Sequence, residues 1–134
     1  MDEQNYILEA EKKVLDIKGL PESLPKREIN SVGIIGAGTM GGGIAMNFAN
    51  VGIPAHIVET NQDQLDKGLR NISNNYERSV NRGKISNGQV TDRLRLISSS
   101  TQLTDLGHCD LIIEAVYEDL DLKKKILVKL MSII

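Results

Sequence analysis

Short apolar runs recur along this chain and predict the strands of a single sheet. The run over residues 31–35 leads directly into a glycine-rich turn, and each later run is bounded by polar or glycine-containing segments. Runs of this length between such boundaries are typical of buried strands. The other three predicted strands are residues 54–60, 94–98 and 110–116.

Apolar residues at helical spacing fill the segments between these runs. One helix is predicted after the glycine turn, ending near Gly52, and a long amphipathic helix follows the second strand until residues 81–83. Ser86 and Gln89 have the spacing of a capping box, which predicts a short helix to about Arg93. Further helices are predicted over residues 1–18 and from Asp119 or Asp121 to the end of the chain.

The alternation of strands and helices predicts a parallel sheet with right-handed crossovers. We therefore expect an α/β fold, a Rossmann-like doubly wound parallel sheet with strand order 3-2-1-4, truncated after about four strands. Gly19, Pro21 and Pro25 interrupt the pattern, so residues 1–28 are predicted to be an N-terminal helix and linker. Residues 29–134 then form the Rossmann domain, which we expect to be incomplete on its C-terminal side.

The turn after the first strand has the sequence GAGTMGGG from Gly36 to Gly43. Between a strand and a helix, Gly36 makes the tight turn and Gly38 lets the backbone approach a phosphate, while Gly41 allows close packing of the helix on the strand. The helix N-terminus then faces the negative charge. The turn therefore predicts a site for the pyrophosphate of a dinucleotide.

Glu59 ends the second predicted strand, at the separation from the turn expected of the carboxylate that binds the adenosine ribose. A single acid at this position could also be only a solvated residue at the end of a strand. The glycine turn that precedes it favours the role in binding ribose. Thr60, Asn61 and Gln62 supply no cation for a 2′-phosphate, which favours NAD over NADP. FAD uses the same turn and acid, so these residues leave it open.

Composition argues against several other classes of function. The 134-residue chain has a net charge of −2, and 3% of its residues are aromatic. We therefore expect no nucleic-acid partner. No apolar stretch approaches the ~20 residues of a membrane span, so no membrane association is predicted. Cys109, the single cysteine, is expected to be a small buried hydrophobe and fits a reducing, cytoplasmic location. No metal site is predicted.

Four parts of the sequence together indicate one family. They are GAGTMGGGIAMNFANVGIP, the acid Glu59, NYERSVNRGK and EAVYEDLDLKKK. In combination they closely resemble the NAD-binding domain of 3-hydroxyacyl-CoA dehydrogenases, over about residues 30–134. Residues 5–28 are similar to the segment that precedes this domain in multifunctional fatty acid β-oxidation enzymes, in which an enoyl-CoA hydratase module comes first.

The resemblance implies NAD as the cofactor and gives roles to particular residues. It places Met40 against the cofactor, Glu59 on the adenosine ribose and residues 116–118 along the dinucleotide. Lys123 then contacts the nicotinamide ribose side, whereas a lysine in the first turn of a helix is otherwise a solvated charge that opposes the dipole. The candidate cofactor-binding residues are Gly36, Ala37, Gly38, Thr39, Met40, Gly41, Glu59, Ala115, Val116, Tyr117, Glu118 and Lys123.

The resemblance also implies a substrate and further domains. The family transfers a hydride from (3S)-3-hydroxyacyl-CoA to NAD, so an acyl-CoA substrate and a C-terminal substrate and dimerisation domain are expected in the full-length enzyme. The region between strands two and three leans toward coenzyme A in the family. Its basic edge does not single out one contact, and a solvated helix face explains it equally well; the edge consists of Arg70, Arg78, Arg82 and Lys84.

Oxidising a 3-hydroxyl group by hydride transfer needs a base to accept the hydroxyl proton, and neither histidine of the chain is placed for this role. His56 lies inside the second strand, and His108 precedes the fourth. In the family the catalytic histidine and its carboxylate partner lie downstream, so no catalytic residue is assigned and we expect a fragment without activity on its own. Two alternatives remain: a non-catalytic dinucleotide-binding module, or a fragment of another Rossmann oxidoreductase such as a 6-phosphogluconate or UDP-sugar dehydrogenase relative.

Overall fold

A computed structural model describes residues 2–134 of the chain. Its helices and strands alternate as predicted, and one 3-10 helix is added to them. Met1, with which the predicted helix over residues 1–18 begins, lies outside the described residues. In chain order the elements are α1 (Glu3–Leu15), β1 (Val32–Ile35), α2 (Thr39–Asn50), β2 (Ala55–Val58), α3 (Gln62–Asn81), α4 (Asn87–Arg95), β3 (Ile97–Ser100), the 3-10 helix (Leu103–His108), β4 (Leu111–Glu114) and α5 (Leu120–Met131).

The strands form one parallel, 4-stranded sheet in the order β3-β2-β1-β4. This confirms the predicted α/β, Rossmann-like fold and its strand order. At the end of the central strand, Ile35 is in register with Val58 on one side and with Glu114 on the other. The carboxyl ends of β2, β1 and β4 therefore meet at one edge, where ligands bind in sheets of this kind.

Both faces of the sheet are covered, because successive strand residues point to opposite sides. Val32 and Ile34 pack in a larger cluster with residues of α2 and α3. Ile35 and Val58 pack on the other face, in a smaller cluster with the 3-10 helix and α5. Burial on both faces explains why β1 is apolar at almost every position rather than at alternate ones.

The third strand was predicted over residues 94–98, and this boundary is wrong. The capping box of Ser86 and Gln89 starts α4 as predicted, but the helix continues to Arg95 and packs Leu94 against the larger cluster. The strand that follows is mostly serine, so it lacks the apolar pattern by which strands are predicted. Two of its three serines, Ser98 and Ser100, hydrogen-bond to His56 on β2 instead.

The N-terminal segment lies outside both clusters. No residue of the range 2–28 is buried, and α1 leaves large side chains such as Tyr6, Val14 and Leu15 exposed. The Asp2 carboxylate caps α1 by accepting the Asn5 N–H at 2.8 Å. The division into residues 1–28 and 29–134 stays a prediction. No helix within residues 2–134 is long and apolar enough to cross a membrane.

Backbone groups pack closely where β1 turns into α2. Gly36 has a φ of 108°, which other residues rarely adopt, and a Cβ there would lie 2.6 Å from the Ala115 carbonyl oxygen. A Cβ on Gly41 would overlap the Gly36 carbonyl oxygen. These two positions of the motif therefore accept only glycine.

His56 connects β2 to β3 on the face that the 3-10 helix covers. Its Nδ1 lies 2.7 Å from Ser98 Oγ and its Nε2 lies 2.9 Å from Ser100 Oγ. The His108 ring meets it edge-on, with ring centroids 6.2 Å apart. Burial lowers the pKa of His56, the nearby His108 lowers it further, and Asp105 opposes both effects.

We expect Gly41→Ala to destabilise the domain by about 1–3 kcal/mol, because the added methyl group must displace backbone. Gly43→Ala is the matched control, since a Cβ at Gly43 in α2 meets no atom within 4 Å. That control should stabilise the domain by about 0.5–1 kcal/mol through helix propensity. Urea unfolding measures both. Equal effects of the two substitutions would contradict the packing described here.

We also expect folding stability to fall as the pH drops below ~6.5, the ordinary pKa of histidine. Because the folded state lowers the pKa of His56, its contribution is fully present above that pH and is lost as the pH falls through the folded-state value. Urea unfolding of wild type and His56→Gln at pH 7.5 and pH 5 tests this. The variant should lose less stability on acidification; parallel losses would refute the assignment to His56.

Candidate functional site

A cleft of about 580 Å³ opens over the carboxyl ends of β1, β2 and β4, and we call it the edge cleft. Its volume lies within the usual range of small-molecule sites. Strand ends form its floor, and the starts of α2, α3 and α5 contribute to its walls. The lining residues are Ile35, Gly36, Gly38, Thr39, Met40, Val58, Glu59, Thr60, Gln64, Leu103, Ala115, Val116, Tyr117, Leu122 and Ile126.

The N-terminus of α2 faces this cleft. Gly38 is the N-cap residue, and no side chain hydrogen-bonds to the helix end there. Nothing lies within 4 Å of the position that a Cβ on Gly38 would take. The N–H groups of Thr39 and Met40 have no acceptor within the helix. Open space beside free N–H groups and the positive end of the helix dipole suits a phosphate group.

Glu59 lies at the end of β2, half-buried beside the turn. Its two carboxylate oxygens accept backbone N–H groups, one from Ala37 at 3.4 Å and one from Asn61 at 3.2 Å. A carboxylate offers about four acceptor positions, so these bonds orient Glu59 and leave capacity for two hydroxyl groups. This is the arrangement needed to bind a ribose diol.

The residues around Glu59 supply no positive charge. Thr60 and Gln64 are its polar neighbours in the lining, and the described part of the cleft contains no lysine, arginine or histidine side chain. A 2′-phosphate at this place would face a carboxylate with no cation to offset it. The charges of the cleft therefore favour NAD over NADP, as predicted from the sequence.

On the opposite side, the loop after β4 is held by backbone and side-chain hydrogen bonds. The Ala115 N–H donates to the Ile35 carbonyl oxygen at 2.8 Å, and the Val116 N–H donates to Glu114 Oε1 at 2.7 Å. Asp119 caps α5 by accepting the Leu122 N–H at 2.9 Å. Tyr117 lies between these fixed points and is 84% exposed.

Lys123 lies in the first turn of α5 and pairs with two carboxylates. Its Nζ is 3.2 Å from Glu114 Oε2 and 3.1 Å from Glu118 Oε2. Hydrogen bonds to Glu118 and Glu114 raise the pKa of Lys123, so the ammonium form is favoured. The pair with Glu114 is the more sheltered one, because Glu114 is 21% exposed and Glu118 is 89% exposed.

Most of the predicted cofactor residues line the edge cleft, but Ala37, Gly41, Glu118 and Lys123 do not. Ala37 and Gly41 are buried and act through the backbone, one by bonding Glu59 and the other by packing on Gly36. The roles of all twelve in binding stay predictions. Seven lining residues were not predicted from the sequence to bind the cofactor. Leu122 and Ile126 were predicted only as part of the apolar face of the last helix, and the others are Ile35, Val58, Thr60, Gln64 and Leu103.

Neither histidine lines the edge cleft. His56 bonds the serines of β3, and His108 lies at the end of the 3-10 helix with Nε2 3.8 Å from Cys109 Sγ. Cys109 is half-buried in the smaller cluster, and burial raises the pKa of its thiol. The described residues contain no group of three or more side chains that could hold a metal ion.

A second cleft, of about 210 Å³, lies between α2 and α3 and shares Gly38 and Thr39 with the edge cleft. Amides and one guanidinium provide its polar groups. They belong to Asn71, Asn74, Asn75 and Arg78, so one residue of the predicted basic edge reaches this cleft, whereas Arg70, Arg82 and Lys84 do not line it.

Comparisons with known proteins agree with this geometry. Residues 31–134 match the family described as 3-hydroxyacyl-CoA dehydrogenase, NAD binding domain. The peroxisomal bifunctional enzyme of Cavia porcellus is 38% identical over 107 residues, which are 80% of this chain and 15% of that protein. The chain thus spans a small part of this relative's length.

Solved structures are similar in both sequence and fold. (S)-3-hydroxybutyryl-CoA dehydrogenase PaaH1 from Ralstonia eutropha has a TM-score of 0.76 and 37% identity, covering 79% of this chain and 38% of its own. FadB2 of M. tuberculosis has a TM-score of 0.79 and 34% identity, with coverages of 81% and 38%. The chain belongs to the 3-hydroxyacyl-CoA dehydrogenase family, and residues 31–134 are its NAD-binding domain.

Proposed function

We propose that NAD binds across the edge cleft, from the end of β2 to the end of β4. In this arrangement Glu59 accepts hydrogen bonds from the adenosine ribose, and the pyrophosphate lies at the N-terminus of α2 beside Gly38. The nicotinamide half then extends toward Val116 and Tyr117. The observation that carries this proposal is the uncapped start of α2, open to the cleft midway between the two strand ends.

The role proposed for each group follows from its physical character. Glu59 is oriented by the N–H groups of Ala37 and Asn61 before any ligand arrives, so little ordering is needed on binding. Met40 is 70% exposed at the mouth of the cleft, where its flexible side chain can cover a flat ring system. The apolar residues that line the floor of the cleft would shield the bound ligand from water.

For the full-length protein we propose the oxidation of a 3-hydroxyacyl-CoA to a 3-ketoacyl-CoA. NAD supplies the hydride acceptor in this chemistry. The described residues bind and orient the dinucleotide, while the proton of the hydroxyl group needs a base. No histidine of residues 2–134 lines the edge cleft, and Glu59 lies at the end proposed for the adenosine ribose. We propose that this base lies elsewhere in the longer protein, and that the isolated chain binds NAD without turning over substrate.

We further propose that the acyl-CoA approaches over the second cleft. Arg78 offers a positive charge for a phosphate, and the amides of Asn71, Asn74 and Asn75 offer donors and acceptors for a polar chain. The cleft touches Gly38 and Thr39, so a ligand there would lie next to the dinucleotide. Of the four residues of the basic edge, Arg78 is the one that this proposal selects.

The neighbouring modules and the cellular location are also proposals. A C-terminal substrate and dimerisation domain and an N-terminal enoyl-CoA hydratase module follow from the resemblance to multifunctional enzymes. The relative from Cavia porcellus is named a bifunctional enzyme, and it is named peroxisomal. The cytoplasmic location proposed for this chain rests on its single cysteine and is tested by fractionating the cells that produce it.

Titration with reduced dinucleotides tests the cofactor site. We expect NADH to bind with enhanced nicotinamide fluorescence and NADPH to bind at least tenfold more weakly, because its 2′-phosphate would meet Glu59 without a cation. Glu59→Gln should weaken NADH binding by about tenfold, through loss of charged hydrogen bonds, and should reduce the preference over NADPH.

Asp63→Asn is the matched control, because Asp63 is an exposed acid in the first turn of α3 outside the cleft. It should bind both dinucleotides like the wild type. Equal affinity for NADH and NADPH in the wild type, or equal losses in the two variants, would refute the role of Glu59.

A further inference from the structure

We propose that Glu114 is a positioning residue for the nicotinamide half of the cofactor, acting through Lys123. This inference rests on the function proposed above and concerns a residue to which neither the glycine motif nor the resemblance gives a role, although Glu114 begins the segment EAVYEDLDLKKK. Glu114 is the last residue of β4 and is in register with Ile35, at the strand end that borders the edge cleft. Its side chain connects the strand to both the following loop and α5.

The two oxygens of Glu114 have different partners. Oε1 accepts the Val116 N–H at 2.7 Å, which fixes the backbone of a residue that lines the cleft. Oε2 lies 3.2 Å from Lys123 Nζ. Lys123 directly follows Leu122, and Leu122 also lines the cleft. One carboxylate therefore sets the positions of two parts of the same wall.

The charge on Glu114 also offsets an unfavourable placement. Lys123 lies in the first turn of α5, where the positive end of the helix dipole repels a cation. Glu118, the other partner, is 89% exposed and therefore well screened by solvent. Glu114 is 21% exposed, so its pair with Lys123 contributes more to holding the ammonium group in place.

An amide cannot replace this carboxylate. Gln at position 114 would keep the shape and could still accept the Val116 N–H through its single oxygen. Its other end would present an NH₂ group to the Lys123 ammonium, and two donors repel each other. Glu114→Gln therefore releases Lys123 while retaining the loop contact, which makes it a selective test.

In the proposed arrangement the two halves of the dinucleotide lie at opposite ends of the cleft, so ligands of different length report on different ends. ADP contains the adenosine and diphosphate groups proposed to lie at Glu59 and Gly38, but it lacks both nicotinamide and the ribose that carries it. NADH contains both halves. A change confined to the Glu114 side should therefore alter NADH binding and leave ADP binding unchanged.

The experiment uses the full 134-residue chain with Glu114→Gln, Lys123→Met and the double variant. NADH binding is followed by nicotinamide fluorescence, and ADP binding by calorimetry. We expect Glu114→Gln to weaken NADH binding about tenfold and ADP binding less than twofold. In the Lys123→Met background, Glu114→Gln should have no further effect on NADH, because its partner is already absent.

Asp121→Asn is the control for charge, since it removes one exposed acid from the same helical turn and should bind both ligands normally. If Glu114→Gln does not fold, Glu114→Asp replaces it, because the shorter side chain withdraws from Lys123 without losing its charge. Equal losses for NADH and ADP, or additive losses in the double variant, would overturn the inference. A wild-type chain that binds neither ligand would instead refute the cofactor site itself.

Discussion

The site depends on the close backbone contacts that Gly36 makes at the end of the central strand. Its N–H donates to the Val58 carbonyl oxygen at 2.8 Å, and the Ala115 N–H donates to the Ile35 carbonyl oxygen at 2.8 Å. These bonds continue the sheet beyond β1 on both sides, into β2 and into the loop after β4. Because Gly36 has no Cβ, the turn can approach both neighbouring strands closely. The three strand ends therefore form one floor.

The two ends of the edge cleft are organised by different interactions. At the β2 end, the Glu59 carboxylate is oriented by backbone N–H groups and keeps acceptor positions free for the proposed ribose. Outside the lining at the β4 end, Glu114, Lys123 and Glu118 form a small charged network that fixes the start of α5. Between them the positive end of α2 is left without a side-chain cap. An acceptor group next to the positive end of a helix suits the hydroxyl groups and phosphates of a dinucleotide.

Sequence reasoning predicted the fold and the strand order because the apolar runs and glycine turn are local signals. It missed the true limits of β3, which carries serines instead of an apolar run; two of them, Ser98 and Ser100, hydrogen-bond to His56. It also missed Gly68, on which a Cβ would overlap the Ala37 carbonyl oxygen, since this contact joins elements far apart in the chain. The ion pair between Glu114 and Lys123 was not predicted either, because it depends on where the loop after β4 places the start of α5.

In the binding arrangement that we propose, the uncapped N-terminus of α2 binds the pyrophosphate of NAD. The most direct measurement is an NMR titration of the ¹⁵N-labelled chain with NAD, which follows each backbone amide separately. The largest changes should occur at the amides of Gly38, Thr39 and Met40, with smaller ones at Val116. Changes confined to α1 or to residues 71–78 of α3, with the amides of Gly38, Thr39 and Met40 unmoved, would contradict this role of α2.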